Sequence, residues 1–162
     1  MATEITASVD PLGSRVVART LDGHLVAMDP DPPDGGGSAA GPKETLLASL
    51  AACTAVDVAA ILRKKRQPAA TYEVAVHGVS AEEHPRVFTR IMVEHRVAGA
   101  VTPEALRRSI ELSATRYCPV NAMLAGGDVE IEHRYRLEPA EGEMVEAVVA
   151  IVGPRGRVRV VG

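Results

Sequence analysis

The sequence predicts an α+β fold, and three observations predict it. Several stretches alternate apolar and polar residues with a period of two, as half-buried strands do. One long segment, 43–66, is almost entirely apolar through its middle and carries helix signals at both ends. The order of elements is strands, long helix, strands, helices, strands, with no strict βαβ alternation.

Residues 15–20 and 25–29 read as a β-hairpin around Asp22-Gly23, a pair suited to turns because glycine tolerates positive φ. Residues 30–42 hold four prolines and several glycines, so they form a loop. The helix over 43–66 follows Pro42, whose missing N–H costs nothing in a first turn. Glu44 suits the positive end of the helix dipole, and the basic run 63–66 suits the negative end. Leu46, Leu47, Leu50, Ala51, Ala55, Val58, Ala59, Ile61 and Leu62 leave little polar face, so burial nearly all round is expected.

Two strands follow. Tyr72, Val74 and Val76 share one face of the first, and Val87, Ile91, Val93 and Val97 one face of the second. Thr102-Pro103-Glu104 is a helix start, with threonine as N-cap and proline at the first helical position. That helix runs to about 115, and Cys118-Pro119 opens a shorter one that ends at Gly126-Gly127. Val129, Ile131, Tyr135 and Leu137 mark another strand. The division expected is a domain over 1–138 and an extension over 139–162, the latter a hairpin turning at 153–156.

Composition narrows the function. The core must be built from small aliphatics, since there is no Trp, one Phe and three Tyr. A net charge of −3 argues against nucleic-acid binding. No unbroken apolar run approaches the roughly 18 residues of a membrane helix, and the N-terminus lacks signal-peptide features. A cytoplasmic protein that binds no membrane is expected. Gly36, Gly41 and Lys43 have P-loop spacing, but Pro42 removes a backbone donor and Glu44 stands where a magnesium-binding hydroxyl belongs. The five histidines, His24, His77, His84, His95 and His133, show no ligand spacing, so no metal is expected.

Two cysteines remain as the candidates for chemistry, too few for a secreted disulfide framework. Cys53 lies mid-helix, beyond reach of the helix dipole, with Asp57 four residues on. An adjacent carboxylate raises a thiol pKa, so local sequence makes Cys53 look like core. Cys118 falls at a helix N-cap, where free N–H groups favour a thiolate, so local sequence makes it the better nucleophile.

The segment Gly41-Pro42-Lys43-Glu44-Thr45-Leu46-Leu47-Ala48-Ser49-Leu50-Ala51-Ala52-Cys53-Thr54-Ala55-Val56-Asp57-Val58 resembles the signature helix of the OsmC/Ohr family. These are the osmotically inducible protein C and organic hydroperoxide resistance proteins. Tyr117-Cys118-Pro119-Val120 is similar to the family's second cysteine motif. The resemblance implies an intertwined homodimer with antiparallel sheets wrapped around two long central helices. It implies a thiol-dependent peroxidase without metal or organic cofactor. Cys53 would attack an organic hydroperoxide, Cys118 would resolve the sulfenic acid into an intrachain disulfide, and a thiol or lipoyl-type reductant would recycle it.

Two positions depart from the peroxidase pattern. The carboxylate expected ten residues before the first cysteine is Lys43 here, with Glu44 one step later. No arginine lies between residues 20 and 62, which leaves Arg19 and Arg15 as the nearest candidates for a thiolate partner. The resemblance is therefore to the OsmC-like branch, with Glu44 and Arg19 as the expected auxiliary residues. Glu44 faces away from Cys53 on its own helix, and in a dimer it would serve the partner's cysteine. The rival expectation is a small-molecule-binding or redox-sensing protein of the same fold that does not turn over.

Overall fold

A computed structural model describes residues 3–161. The chain divides after Ala48 into two compact units. In the first, β1 (Ile5–Val9), β2 (Val16–Thr20) and β3 (Leu25–Met28) form an antiparallel sheet in that order. The expected hairpin is β2–β3, with Val17 opposite Ala27 and Gly23 turning at φ +85°. Strand β1 is an addition, since its five residues are all exposed and carry no inward stripe to reveal them.

The proline- and glycine-rich loop is ordered by one carboxylate. Asp29 accepts hydrogen bonds from Ser14 Oγ at 2.6 Å, Ser38 Oγ at 2.7 Å, Ser38 N at 3.0 Å and Gly36 N at 3.2 Å. Those donors hold its carboxyl well below the usual carboxylate range. Gly35 is required within this knot, because a Cβ there would sit 2.2 Å from the Pro30 carbonyl oxygen.

Helix α1 (Pro42–Lys64) crosses the division between the units. At its start the Glu44 carboxylate accepts the Gly41 N–H at 2.8 Å, and Thr45 Oγ1 donates to the Gly41 carbonyl at 3.0 Å. At its end Arg66 adopts φ +56°, Arg66 N–H bonds the Arg63 carbonyl and Gln67 N–H bonds that of Leu62. This paired closure satisfies carbonyls that the helix leaves open, and Pro68 follows.

One expectation for α1 is corrected. The helix is not buried nearly all round within one chain. Its fully covered residues are Leu50, Thr54, Val58 and Leu62, a single stripe of every fourth residue, while Val56 is 67% exposed. The helix is also long and apolar enough to cross a membrane by length and composition, although no unbroken apolar run announced it. Thr54 and Asp57 interrupt the run without making the segment polar on average.

The second unit holds a five-stranded sheet in the order β4-β5-β6-β7-β8. Its strands are β4 (Ala69–Ser80), β5 (Phe88–Gly99), β6 (Glu130–Pro139), β7 (Val145–Val152) and β8 (Val158–Val160). The sheets are not wholly antiparallel as expected: β5 and β6 run parallel, with Ile91 opposite Ile131 and Val97 opposite Leu137. A parallel pair needs a long crossover, and the two helices between these strands supply it. They are α2 (Pro103–Leu112) and α3 (Pro119–Ala125), separated by a π turn, Ser113–Tyr117. The tail hairpin β7–β8 extends the same sheet.

Alternation builds the core. Ile91, Val93, His95 and Val97 of β5 and Ile131, His133, Tyr135 and Leu137 of β6 are buried, with Leu106 and Ile110 of α2. Intervening positions carry a charge ladder, with Arg90 to Glu132 at 2.8 Å, Arg134 to Glu94 at 3.1 Å and Arg96 to Glu94 at 2.7 Å.

Candidate active site

Proline dictates where Cys118 sits. Pro119 has no N–H, and its ring pushes the preceding residue out of helical geometry, so Cys118 is extended at φ −72°, ψ 104°. The chain reaches it through the π turn, in which Cys118 N–H bonds the Ser113 carbonyl at 3.0 Å. Cys118 then caps α3: its Sγ accepts the Asn121 N–H at 3.4 Å. The expected N-cap position is therefore present.

The expected electrostatic consequence is absent. Cys118 is 3% exposed, and burial pushes its thiol up, to about 12. The neighbouring Cys53 side chain and the charge of Asp57 push the same way, and the Asn121 N–H only partly opposes them. Cys118 is thus held as a thiol. The reading that made it the better thiolate fails because desolvation outweighs one amide of a seven-residue helix.

The fold thus brings the Cys53 side chain close to Cys118, both reduced. Cys53 is half-buried on α1 and is the more accessible of the two. One turn further on, the Asp57 carboxylate accepts from Ser113 Oγ at 3.0 Å. Since Ser113 spends its proton there, the 3.1 Å contact between Thr54 and Ser113 is donated by Thr54 Oγ1. Two buried hydroxyls thus tie the helix bearing Cys53 to the turn that leads to Cys118. A cleft of about 150 Å3 reaches Cys118 from the side of the tail hairpin, between Ala122 and Val158.

Beyond Asp57 lies a set of buried polar groups. Tyr72 OH is 2.8 Å from His95 Nδ1, and His133 Nε2 is 2.9 Å from Asn121 Oδ1. Burial, and then the charge of Asp57, push the tyrosine up well above its usual range. Burial alone lowers His133 to about 4, and burial with the neighbouring His133 lowers His95. Sequence patterning does not mark Ser113, Asn121, Tyr72, His95 and His133 as parts of the site. The two histidines were in phase with inward-facing Ile91, Val93, Ile131 and Leu137, and that phase was the available signal.

Glu44 and Arg19 belong to the first unit. Glu44 is exposed and caps the start of its own helix, and Arg19 is exposed on β2 opposite Thr6 and Leu25.

A half-exposed helix thiol facing a buried one, on an α+β frame with a helical crossover, defines a dithiol protein. Residues 35–134 match the family model described as OsmC-like protein, and the chain belongs to that family. It is 35% identical to protein YhfA of Escherichia coli over 129 residues, 79% of this chain and 93% of that protein. Among solved structures it is similar to a hypothetical protein from Aquifex aeolicus, at TM-score 0.75 and 26% identity, over 87% of this chain and 99% of the other. It shares its fold with an organic hydroperoxide resistance protein OsmC from Legionella pneumophila, at TM-score 0.64 and 15% identity, over 85% of this chain and 97% of the other.

Proposed function

We propose that this protein is a thiol-dependent peroxidase that reduces organic hydroperoxides. The observation that carries the reading is the neighbouring pair of reduced thiols, Cys53 accessible and Cys118 buried. Membership of a family with named hydroperoxide-resistance proteins supports it.

The Cys53 thiolate attacks the distal oxygen of the hydroperoxide. The O–O bond breaks, the sulfur takes the distal OH to become a sulfenic acid, and the alkoxide leaves, taking a proton from water to become the alcohol. Cys118 attacks that sulfur, water leaves, and an intrachain disulfide forms. A dithiol reductant, of lipoyl type in this reading, restores both thiols. Burial keeps Cys118 protonated in the reduced protein, so it does not compete with Cys53 for the hydroperoxide, and its proton leaves with the water formed at disulfide closure. Small aliphatic residues around Cys53 on α1 favour an alkyl hydroperoxide over hydrogen peroxide.

The working unit in this reading is a cytoplasmic homodimer. Leu46 and Val56 on α1 are 40% and 67% exposed in one chain, and a second copy would cover them. Glu44 and Arg19 would then act on the partner's Cys53 as auxiliary groups.

The test is consumption of cumene hydroperoxide with a dithiol reductant. Wild type is expected to turn over many times and Cys53→Ser not at all. A wild type that consumes one equivalent and stops would instead mark a redox sensor. That second reading draws on the Asp57 carboxylate beside the pair and on the lack of arginine between residues 20 and 62.

A further inference from the structure

Cys118 is held by a structure the thiol chemistry does not itself require. In an α-helix the carbonyl of Ala114 would bond the N–H of residue 118. In the π turn that N–H goes to Ser113 instead. The next candidate donor in a π register is residue 119, a proline without an N–H. The Ala114 carbonyl has therefore lost both backbone partners, and it is buried.

Asn121 replaces them. Its Nδ2 donates to the Ala114 carbonyl at 2.7 Å, which fixes the orientation of the amide. Its Oδ1 consequently faces His133 Nε2 at 2.9 Å, and the histidine must donate. His133 is the Nε2–H tautomer, fully buried, with Nδ1 unpartnered among the described residues. The backbone N–H of the same Asn121 bonds Cys118 Sγ. One residue thus joins the strand histidine, the orphaned carbonyl and the thiol.

We infer that His133 is a positioning residue for Cys118. Through Asn121 it stabilises the π turn and keeps the thiol in the pose from which it pairs with Cys53. Without the His133 donor the amide is free to rotate. The Ala114 carbonyl can then recover the Cys118 N–H in ordinary helical register, which turns the thiol away from its partner. The inference gives a function to a buried polar group that would otherwise only cost stability. It rests on the proposed redox pairing of the two cysteines, and the test is arranged to separate the two.

Full-length protein is oxidised with diamide, which needs no peroxidase activity. One thiol adds to the diazene, the second displaces the hydrazine, and a disulfide results. Formation of the Cys53–Cys118 link is followed by mass spectrometry. In His133→Leu the closure rate is expected to fall roughly tenfold to hundredfold, the loss typical of a misplaced reacting group. In His133→Gln, whose amide N–H can take the place of the ring N–H, the rate is expected to recover most of that loss. Circular dichroism establishes that each variant is folded.

A folded His133→Leu that closes at the wild-type rate overturns the inference, as does a folded His133→Gln no faster than His133→Leu. Nitrogen NMR of the wild type tests it even if His133→Leu fails to fold. The Nε2–H tautomer is expected, and an Nδ1–H tautomer would overturn the assignment. If diamide closes the disulfide but cumene hydroperoxide is not consumed, the peroxidase reading fails and the positioning role stands.

Discussion

At the scale of single residues, the two cysteines share a fold but not a chemistry. Burial makes Cys118 a thiol that waits, and Cys53 is the one a solute can reach. Cys118→Ser is therefore expected to retain a single turnover with hydroperoxide and to accumulate a Cys53 sulfenic acid. Dimedone labelling read by mass spectrometry checks it, and no adduct in the variant would place the first attack elsewhere. His133 supplies a pH dependence. Its native pKa of about 4 lies below the ordinary 6.5, so between those values the unfolded chain binds the extra proton. Stability then falls as pH drops from about 6.5 toward 4, and His95, lowered by burial as well, adds to the loss. Urea midpoints at pH 7, 5.5 and 4.5 measure it, and His133→Gln is expected to flatten part of the slope.

At the scale of elements, strong local rules were readable and weak or long-range ones were not. Thr102 caps α2 as expected, its Oγ1 accepting the Ala105 N–H at 3.2 Å, and Thr102→Ala should cost about 1 kcal/mol in chemical denaturation. Leu106 is fully buried, so Leu106→Ala should cost roughly 2–5 kcal/mol by the same measurement. Strand alternation placed β4 to β6, and Pro119 placed the start of α3, because each signal lies within a few residues. The π turn was not legible: its register depends on Asn121 and His133, which come from beyond it. The parallel pairing of β5 and β6 was hidden for the same reason, since alternation tells which face is inward but not which strand is the neighbour. Of the site, both cysteines and Asp57 could be named from sequence. The hydroxyl tie through Thr54 and Ser113 could not, because it joins residues whose nearness only the crossover creates.

At the scale of the whole molecule, α1 is the element with unfinished packing. Its stripe at Leu50, Thr54, Val58 and Leu62 is covered, whereas Val56 is not. If a second copy covers that face, Val56→Glu should shift the protein from dimer to monomer in sedimentation velocity, and an unchanged monomer in wild type would remove the dimer from the proposal.

The parallel neighbours β5 and β6 also set an order of events in time. Their pairing closes a loop that contains the whole crossover, Cys118 included, and contacts so distant in sequence form slowly. Helix α1 can form early, but its thiol has no partner until that loop closes. With two cysteines in the chain, an intramolecular disulfide has one pairing, so its appearance is a clock rather than a choice. When reduced, unfolded protein is refolded and pulsed with diamide, disulfide formation should track the late gain of sheet signal. It should lag the early helical signal by a measurable interval.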